Sequence, residues 1–240
     1  MPETFGESLA DWSARLLAAA ADGPSHAERI CSLCVEMLSV TGAGISMVTP
    51  AGNRGVVCAT DERAARIEDL QLILGVGPCV DAVSQGSAVL IPDLTEPGLA
   101  LDRWPGFVEA AAGTGVAAVF AFPLRVGGIN VGALDLYRDT PGELTDKQLS
   151  GALVAAHASA LAVLRGGVAP GGPSAEGFDA PPMYQVQVHQ ATGMVQVQMG
   201  VTTEVALLML RARAFAAGRP LHALATDVVE RRLRFTPEDP

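Results

Sequence analysis

The sequence VAAVFAFPLR at residues 116–125 is followed by VGG at 126–128 and by INVGALDLY at 129–137. Two apolar runs of strand length around a short glycine-bearing segment predict an antiparallel hairpin. Working upstream, residues 44–48 and 55–60 also read as strands, and Ala51-Gly52-Asn53 between them carries turn chemistry. A further short strand is expected at 88–91. Helical patterns fall at 3–21, stopping near Asp22-Gly23-Pro24, and from a Ser25 cap to about Val40. Residues 61–74 form another, followed by Gly75-Val76-Gly77-Pro78. Residues 93–104 read as a loop, 107–113 as a short helix, and 144–165 as a closing helix entered by Thr145-Asp146. Antiparallel strands with helices at both ends of the sequence define an α+β layered domain.

The domain stops at residues 166–182, GGVAPGGPSAEGFDAPP, where 5 of 17 residues are Gly and 4 are Pro. Such a stretch buries too little apolar surface to offset its ordering entropy, so it reads as a linker. The chain divides into an N-terminal helix at 1–24, a main domain at 25–165, a linker at 166–182 and a C-terminal module at 183–240. In that module, residues 184–199 fit either a helix or period-2 strands by periodicity alone. Thr202 or Thr203 caps the next helix, which contains Leu207, Leu210 and Ala214 and stops at Gly218. A last helix runs from Pro220 or Leu221 to about Arg234 with Leu221, Leu224, Ala225 and Val228 as its apolar stripe. Read as helices, these segments make a three-helix bundle.

Charge is unevenly distributed. The formal net charge is −10, yet residues 1–180 hold 10 basic and 21 acidic side chains, while residues 181–240 hold 6 basic, all arginine, and 5 acidic. The acidic N-terminal part repels nucleic acid, so a phosphate-binding surface belongs in the C-terminal module. No uncharged apolar run reaches the ~18 residues of a membrane span. The first residues lack the basic and apolar regions of a secretory signal, and a cytoplasmic location is expected.

Cys31, Cys34, Cys58 and Cys79 read as buried thiols rather than a disulfide framework. Cys31 and Cys34 form a C-x-x-C, but inside an amphipathic helix with Ile30, Leu33 and Leu38, where cysteine acts as a small hydrophobe. A four-cysteine zinc site needs paired C-x-x-C units. No metal set, phosphate-binding loop or catalytic constellation emerges from the spacing, and no cofactor is assigned. His157 lies in the closing helix and does not present itself as a haem ligand.

Leu74-Gly75-Val76-Gly77-Pro78-Cys79-Val80-Asp81-Ala82, then Ile91-Pro92-Asp93-Leu94, Phe122-Pro123-Leu124 and Val131-Gly132-Ala133-Leu134-Asp135-Leu136-Tyr137 together resemble the GAF domain of bacterial sensors. The resemblance implies a GAF-like antiparallel sheet with flanking helices, and a small-molecule ligand near Gly77, Pro78, Cys79 and Asp93. In the C-terminal module, His189-Gln190-Ala191-Thr192-Gly193-Met194-Val195 and the helix Thr203-Glu204-Val205-Ala206-Leu207-Leu208-Met209-Leu210-Arg211 resemble the ANTAR domain, as do Gly218-Arg219-Pro220-Leu221, Leu224-Ala225 and Val228-Val229. This implies a homodimeric antitermination regulator engaging RNA hairpins, with Gln190, Thr192, Gly193, Arg211, Arg213 and Arg219 on the RNA side. Thr192 stands where that family commonly has Lys, so phosphate contact falls to the arginines. Two other classes remain open. One is a DNA-binding regulator reading bases with His222, Thr226 and Asp227. The other is a thiol-redox sensor or GAF-fold reductase built on Cys79 or on Cys31 and Cys34.

Overall fold

In a computed structural model, the described residues are 9–21, 26–48, 54–96, 99–165, 183–219 and 221–236. The N-terminal half begins with helices α1 (Leu9–Ala21) and α2 (His26–Leu38), then strands β1 (Gly42–Val48) and β2 (Arg54–Ala59). Helices α3 (Glu62–Leu74) and α4 (Pro78–Gln85) follow, then β3 (Val89–Ile91), α5 (Leu99–Arg103) and α6 (Pro105–Ala112). The hairpin β4 (Ala118–Val126) and β5 (Ile129–Arg138) leads into α7 (Asp146–Arg165), and α8 (Met183–Met199), α9 (Thr203–Ala216) and α10 (Leu221–Val229) complete the order. The turn Ala51-Gly52-Asn53, the Ser25 cap, the linker 166–182 and residues 1–8 lie outside the described residues.

The five strands form one antiparallel sheet in the order β2-β1-β5-β4-β3. The hairpin turn is Gly127-Gly128, and Gly127 takes a φ of 61°, which a two-residue connection of this hand requires. Alternation along β4 and β5 sends side chains to two faces. Phe120, Phe122, Leu124, Leu134 and Leu136 pack with α1, α2 and α7; Val119, Ala121, Ala133 and Tyr137 pack with α3 through α6. Helices therefore cover both faces, and β4 reads in sequence as an unbroken apolar run because both of its sides are buried. Helix α7 has the length and apolarity of a membrane span, but half of that stretch is buried inside the protein, where Ala152, Ala155 and Ala158 sit in the core. Trp12 of α1 donates its indole N–H to the Gly151 carbonyl of α7 at 3.1 Å, and Thr145 and Gln148 cap α7 reciprocally.

Two segments differ from the sequence expectation. Residues 93–104 are not a plain loop: α5 forms there because Ala100 and Trp104, one turn apart, are both buried against the α6 side. The last helix stops at Val229 rather than near Arg234. Arg231 has a φ of 62°, Arg232 turns back onto Asp227 at 2.7 Å, and Phe235 enters the core, which a straight helix would not allow. The ambiguous residues 184–199 are helical as α8, and Thr202 caps α9 by accepting from Val205 N–H.

Helices α8, α9 and α10 form a bundle around Ala191, Val195, Leu210, Leu221, Leu224 and Val228. Ile73 of α3 belongs to that same core, with Leu72 packed against it. The bundle thus docks on α3, and His222 of α10 faces Asp69 of α3 at 3.9 Å.

At the β1–β5 seam, a Cβ added at Gly132 would lie 2.1 Å from the Ser46 carbonyl oxygen. Rigid backbone cannot yield as a side-chain tip can. Gly132→Ala is expected to destabilise the sheet domain by about 1–3 kcal/mol or more, read as a fall in the urea midpoint; an unchanged midpoint would show the seam to be looser than described.

Candidate functional site

Asp61 starts α3 by accepting from Arg63 and Ala64 N–H at 2.8 Å, and its second oxygen receives the Tyr137 hydroxyl. Gly75, with a φ of 68°, ends α3. The chain then turns through Gly77, whose φ of 140° suits glycine, and Pro78 opens α4 at a position where its missing N–H costs nothing. A Cβ on Gly77 would also strike Gln71 at 2.8 Å. This turn places the start of α4 directly beside the buried face of α3.

Beneath the turn lies a polar cluster in an otherwise apolar layer. Glu68 and Gln71 of α3, Asp135 of β5 and Ser46 of β1 are all buried. Gln71 donates from Nε2 to Asp135 Oδ2 at 2.9 Å and accepts the Cys79 backbone N–H at Oε1, 2.7 Å away. Glu68 and Asp135 bring carboxyl oxygens within 4.8 Å of each other. Ser46 Oγ and Cys79 Sγ approach to 3.7 Å. Gly44 on β1 supplies the space: a Cβ there would lie 2.7 Å from Glu68 Oε1. Two carboxyl groups in contact in a dry layer share a proton. Burial, and next the charge of Asp135, push the Glu68 carboxyl well above the usual carboxylate range. Glu68, Cys79 and Asp135 each offer one ligand atom, all within 4.8 Å of one another. Mixed oxygen and sulfur donors match a borderline divalent ion, for which the shared proton is a competitor.

Among the residues expected at a ligand site, Gly77, Pro78 and Cys79 are all buried and adjoin this cluster. Asp93 is not brought to it. Asp93 accepts from Thr95 N–H at 2.7 Å and Thr95 Oγ1 at 2.6 Å, and these bonds hold its carboxyl below the ordinary range. A separate cleft of about 190 Å³ lies between α3, α6 and the end of α9, lined by Arg66, Leu70, Ile73, Ala110, Phe215 and Arg219 among others. It belongs to the junction with the bundle, not to the Gly77–Cys79 turn.

Sequence reading missed Glu68, Gln71 and Asp135. The signals were present. Glu68 and Gln71 share the helical face of Ala64 and Ile67, and Asp135 sits between Ala133 and Tyr137 on one side of a strand. A polar residue at an apolar period is the mark of a buried site, and the C-x-x-C had drawn attention to a different helix.

In the bundle, Gln190 and Gly193 are exposed on α8, and Thr192 is buried with its hydroxyl donating to the Val188 carbonyl at 2.7 Å. Arg211 reaches the end of α3, its Nη1 lying 3.2 Å from where a Gly75 Cβ would be. Arg213 stacks over Phe235 at 5.4 Å, and Arg219 pairs with Asp227 at 2.7 Å. His222 faces Asp69, Thr226 bonds Gln187 and the His222 carbonyl, and Asp227 holds Arg219 and Arg232. His157 is exposed on α7.

The raised Glu68 has a pH signature. An unfolded glutamate titrates near ~4.3. Between that value and the higher folded one, the fold retains a proton that the unfolded chain has released, so stability falls as pH rises through the window. Glu68→Gln keeps the side-chain volume but does not titrate. Its urea midpoint is expected to decline less than the wild-type midpoint between about pH 5 and about pH 8; parallel declines would remove Glu68 as the cause.

The sheet and its helices have counterparts among solved structures. The GAF domain of a phosphoenolpyruvate-protein phosphotransferase from Coxiella burnetii is 10% identical with a TM-score of 0.51, over 66% of this chain and 94% of that one. The GAF domain of a phosphoenolpyruvate-protein phosphotransferase from Acinetobacter is 7% identical with a TM-score of 0.49, over 65% and 93%. A domain of a two-component sensor histidine kinase protein from Sinorhizobium meliloti is 19% identical with a TM-score of 0.43, over 57% and 88%. Comparison with curated proteins gives no match. Residues 24–163, more than half of the chain and the whole of the sheet with its helices from α2 through most of α7, match the GAF domain model, and the chain belongs to the GAF domain family.

Proposed function

We propose that the protein is a signal-responsive RNA-binding regulator that promotes transcription antitermination by engaging terminator-proximal RNA hairpins. In this reading the GAF domain senses a small molecule in the cytoplasm, and residues 183–240 are an ANTAR-like output module. The observation that carries the reading is Gly193. Glycine inside a helix costs about 1 kcal/mol relative to alanine, yet a Cβ there would meet nothing within 4 Å. No contact among the described residues calls for glycine. Close approach by a nucleic-acid backbone does, at the position where the ANTAR resemblance places RNA, beside exposed Gln190.

Thr192 spends its hydroxyl on its own helix, so the positive charge for phosphate comes from arginine. Arg211 is turned toward the end of α3 in the docked arrangement. RNA binding through Arg211 therefore requires the bundle to leave α3, which gives the sensor a means of control. Helix α3 is suited to that role: Glu68 and Gln71 face the sheet, while Asp69, Leu72 and Ile73 face the bundle. The homodimer in this proposal would form through exposed Leu17 of α1 and Leu153 and Leu164 of α7.

Binding of the full chain to an RNA with two tandem hairpins, at moderate salt, tests the proposal. Arg211→Ala is expected to weaken binding roughly tenfold, about 1.4 kcal/mol. Gly193→Ala should raise helix stability while weakening binding. Asp69→Arg, which opposes His222 and loosens docking, should tighten it. Absence of binding by both the wild-type and the Asp69→Arg chains, with helix content intact by circular dichroism, would sink the RNA reading and leave the GAF assignment standing.

A further inference from the structure

Three thiols pack in a different core from that of Cys79. Cys31 and Cys34 lie on α2 and Cys58 on β2, all in the core that joins the sheet to α1, α2 and α7. The near pair is not the C-x-x-C. Cys31 Sγ and Cys58 Sγ, 27 residues apart in sequence, stand 3.4 Å from each other in the interior. Within a helix, residues three apart keep their Cβ atoms about 5–6 Å apart, wider than the ~3.5–4.5 Å of a disulfide, so Cys31 and Cys34 cannot join without unwinding a turn. Between α2 and β2, a movement of little more than an ångström brings the two sulfurs to the ~2.05 Å of a bond.

We propose that Cys31 and Cys58 form a reversible disulfide, with a peroxide as the oxidant. Cys58 is 8% exposed and Cys31 is fully buried, so peroxide reaches Cys58 first. The Cys58 sulfur, losing its proton, attacks one peroxide oxygen; the O–O bond breaks, water leaves and Cys58 becomes a sulfenic acid. The Cys31 sulfur then attacks the sulfenic sulfur, gives up its proton and expels a second water. Two thiols and one hydrogen peroxide yield one disulfide and two waters: the sulfurs lose two electrons and the peroxide gains them. A dithiol reverses the step by exchange.

The bond ties α2 to the edge strand of the sheet. Helix α3 packs on the same strand, so oxidation would pin β2 between the two helices and fix the support on which Glu68 rests.

The test uses the intact, folded chain treated with a few equivalents of hydrogen peroxide, followed by intact-mass measurement and peptide mapping with free thiols blocked. The expected result is a loss of about 2 Da, a linked peptide pair containing Cys31 and Cys58, and a rise in Tm on the order of 10 °C that dithiothreitol reverses. Cys34→Ser should keep the link. Cys31→Ser should replace it with oxygen additions at Cys58. A Cys31–Cys34 link, oxygen addition at wild-type Cys58 without loss of 2 Da, or four unmodified thiols after exposure would each overturn the proposal. The wild-type peptide map decides the matter even where a serine variant fails to fold.

Discussion

Two carboxyl groups in a dry interior cannot both be ionised, and the placement of α3 rests on how Glu68 and Asp135 meet that constraint. Their carboxyl groups lie close together and Glu68 is pushed toward its neutral form, Gln71 bonds Asp135 Oδ2, and Gln71 in turn holds the first turn of α4 through the Cys79 N–H. One chain of bonds thus links β5, α3 and α4. An apolar layer slides at little cost, since dispersion has no direction, whereas directional hydrogen bonds between buried polar groups hold in few arrangements. The register of α3 on the sheet is set by these bonds, and the glycines at 44 and 77 are the vacant volumes that let them form.

That register reaches beyond the sheet. Positions 68 and 71 face the sheet and positions 69, 72 and 73 face the bundle, because a helical turn separates inner from outer residues by one or two steps. A small rotation of α3 that relieved a change at Glu68 would carry Ile73 and Asp69 with it. The sheet domain and the bundle are joined through this one helix with two occupied faces.

Much of this architecture was legible in the residues. The 116–137 hairpin and the strands before it follow from apolar runs of strand length and turn chemistry, the closing helix from a long Ala- and Leu-rich run entered by Thr145-Asp146, and α3 was bounded by Asp61 and Gly75. Helix α4 was not read as an element because eight residues hold too few apolar positions to show a period, and α5 was hidden in a segment of only five helical residues. The end of α10 was placed too late because Phe235 folds back, a long-range effect that local propensity does not carry. For the site, Gly77, Pro78 and Cys79 stood out as a motif, but Glu68 and Asp135 are separated by more than sixty residues, and nothing in spacing says that a helix and a strand so far apart in sequence will meet. The Cys31–Cys58 proximity escaped for the same reason: a C-x-x-C is visible on the page and a helix-to-strand pair is not.

Ile73 gives the C-terminal bundle a core residue that the bundle's own sequence does not encode. Modular architecture is usually pictured as beads exchanged along a string. Here the three C-terminal helices transplanted onto another GAF domain would bring a socket with them, and the new host would need an apolar side chain at the matching point of its own helix. Recombination between such proteins is therefore constrained at one residue outside the transplanted segment, and compatibility between the sheet domain and the bundle is written into the surface of α3.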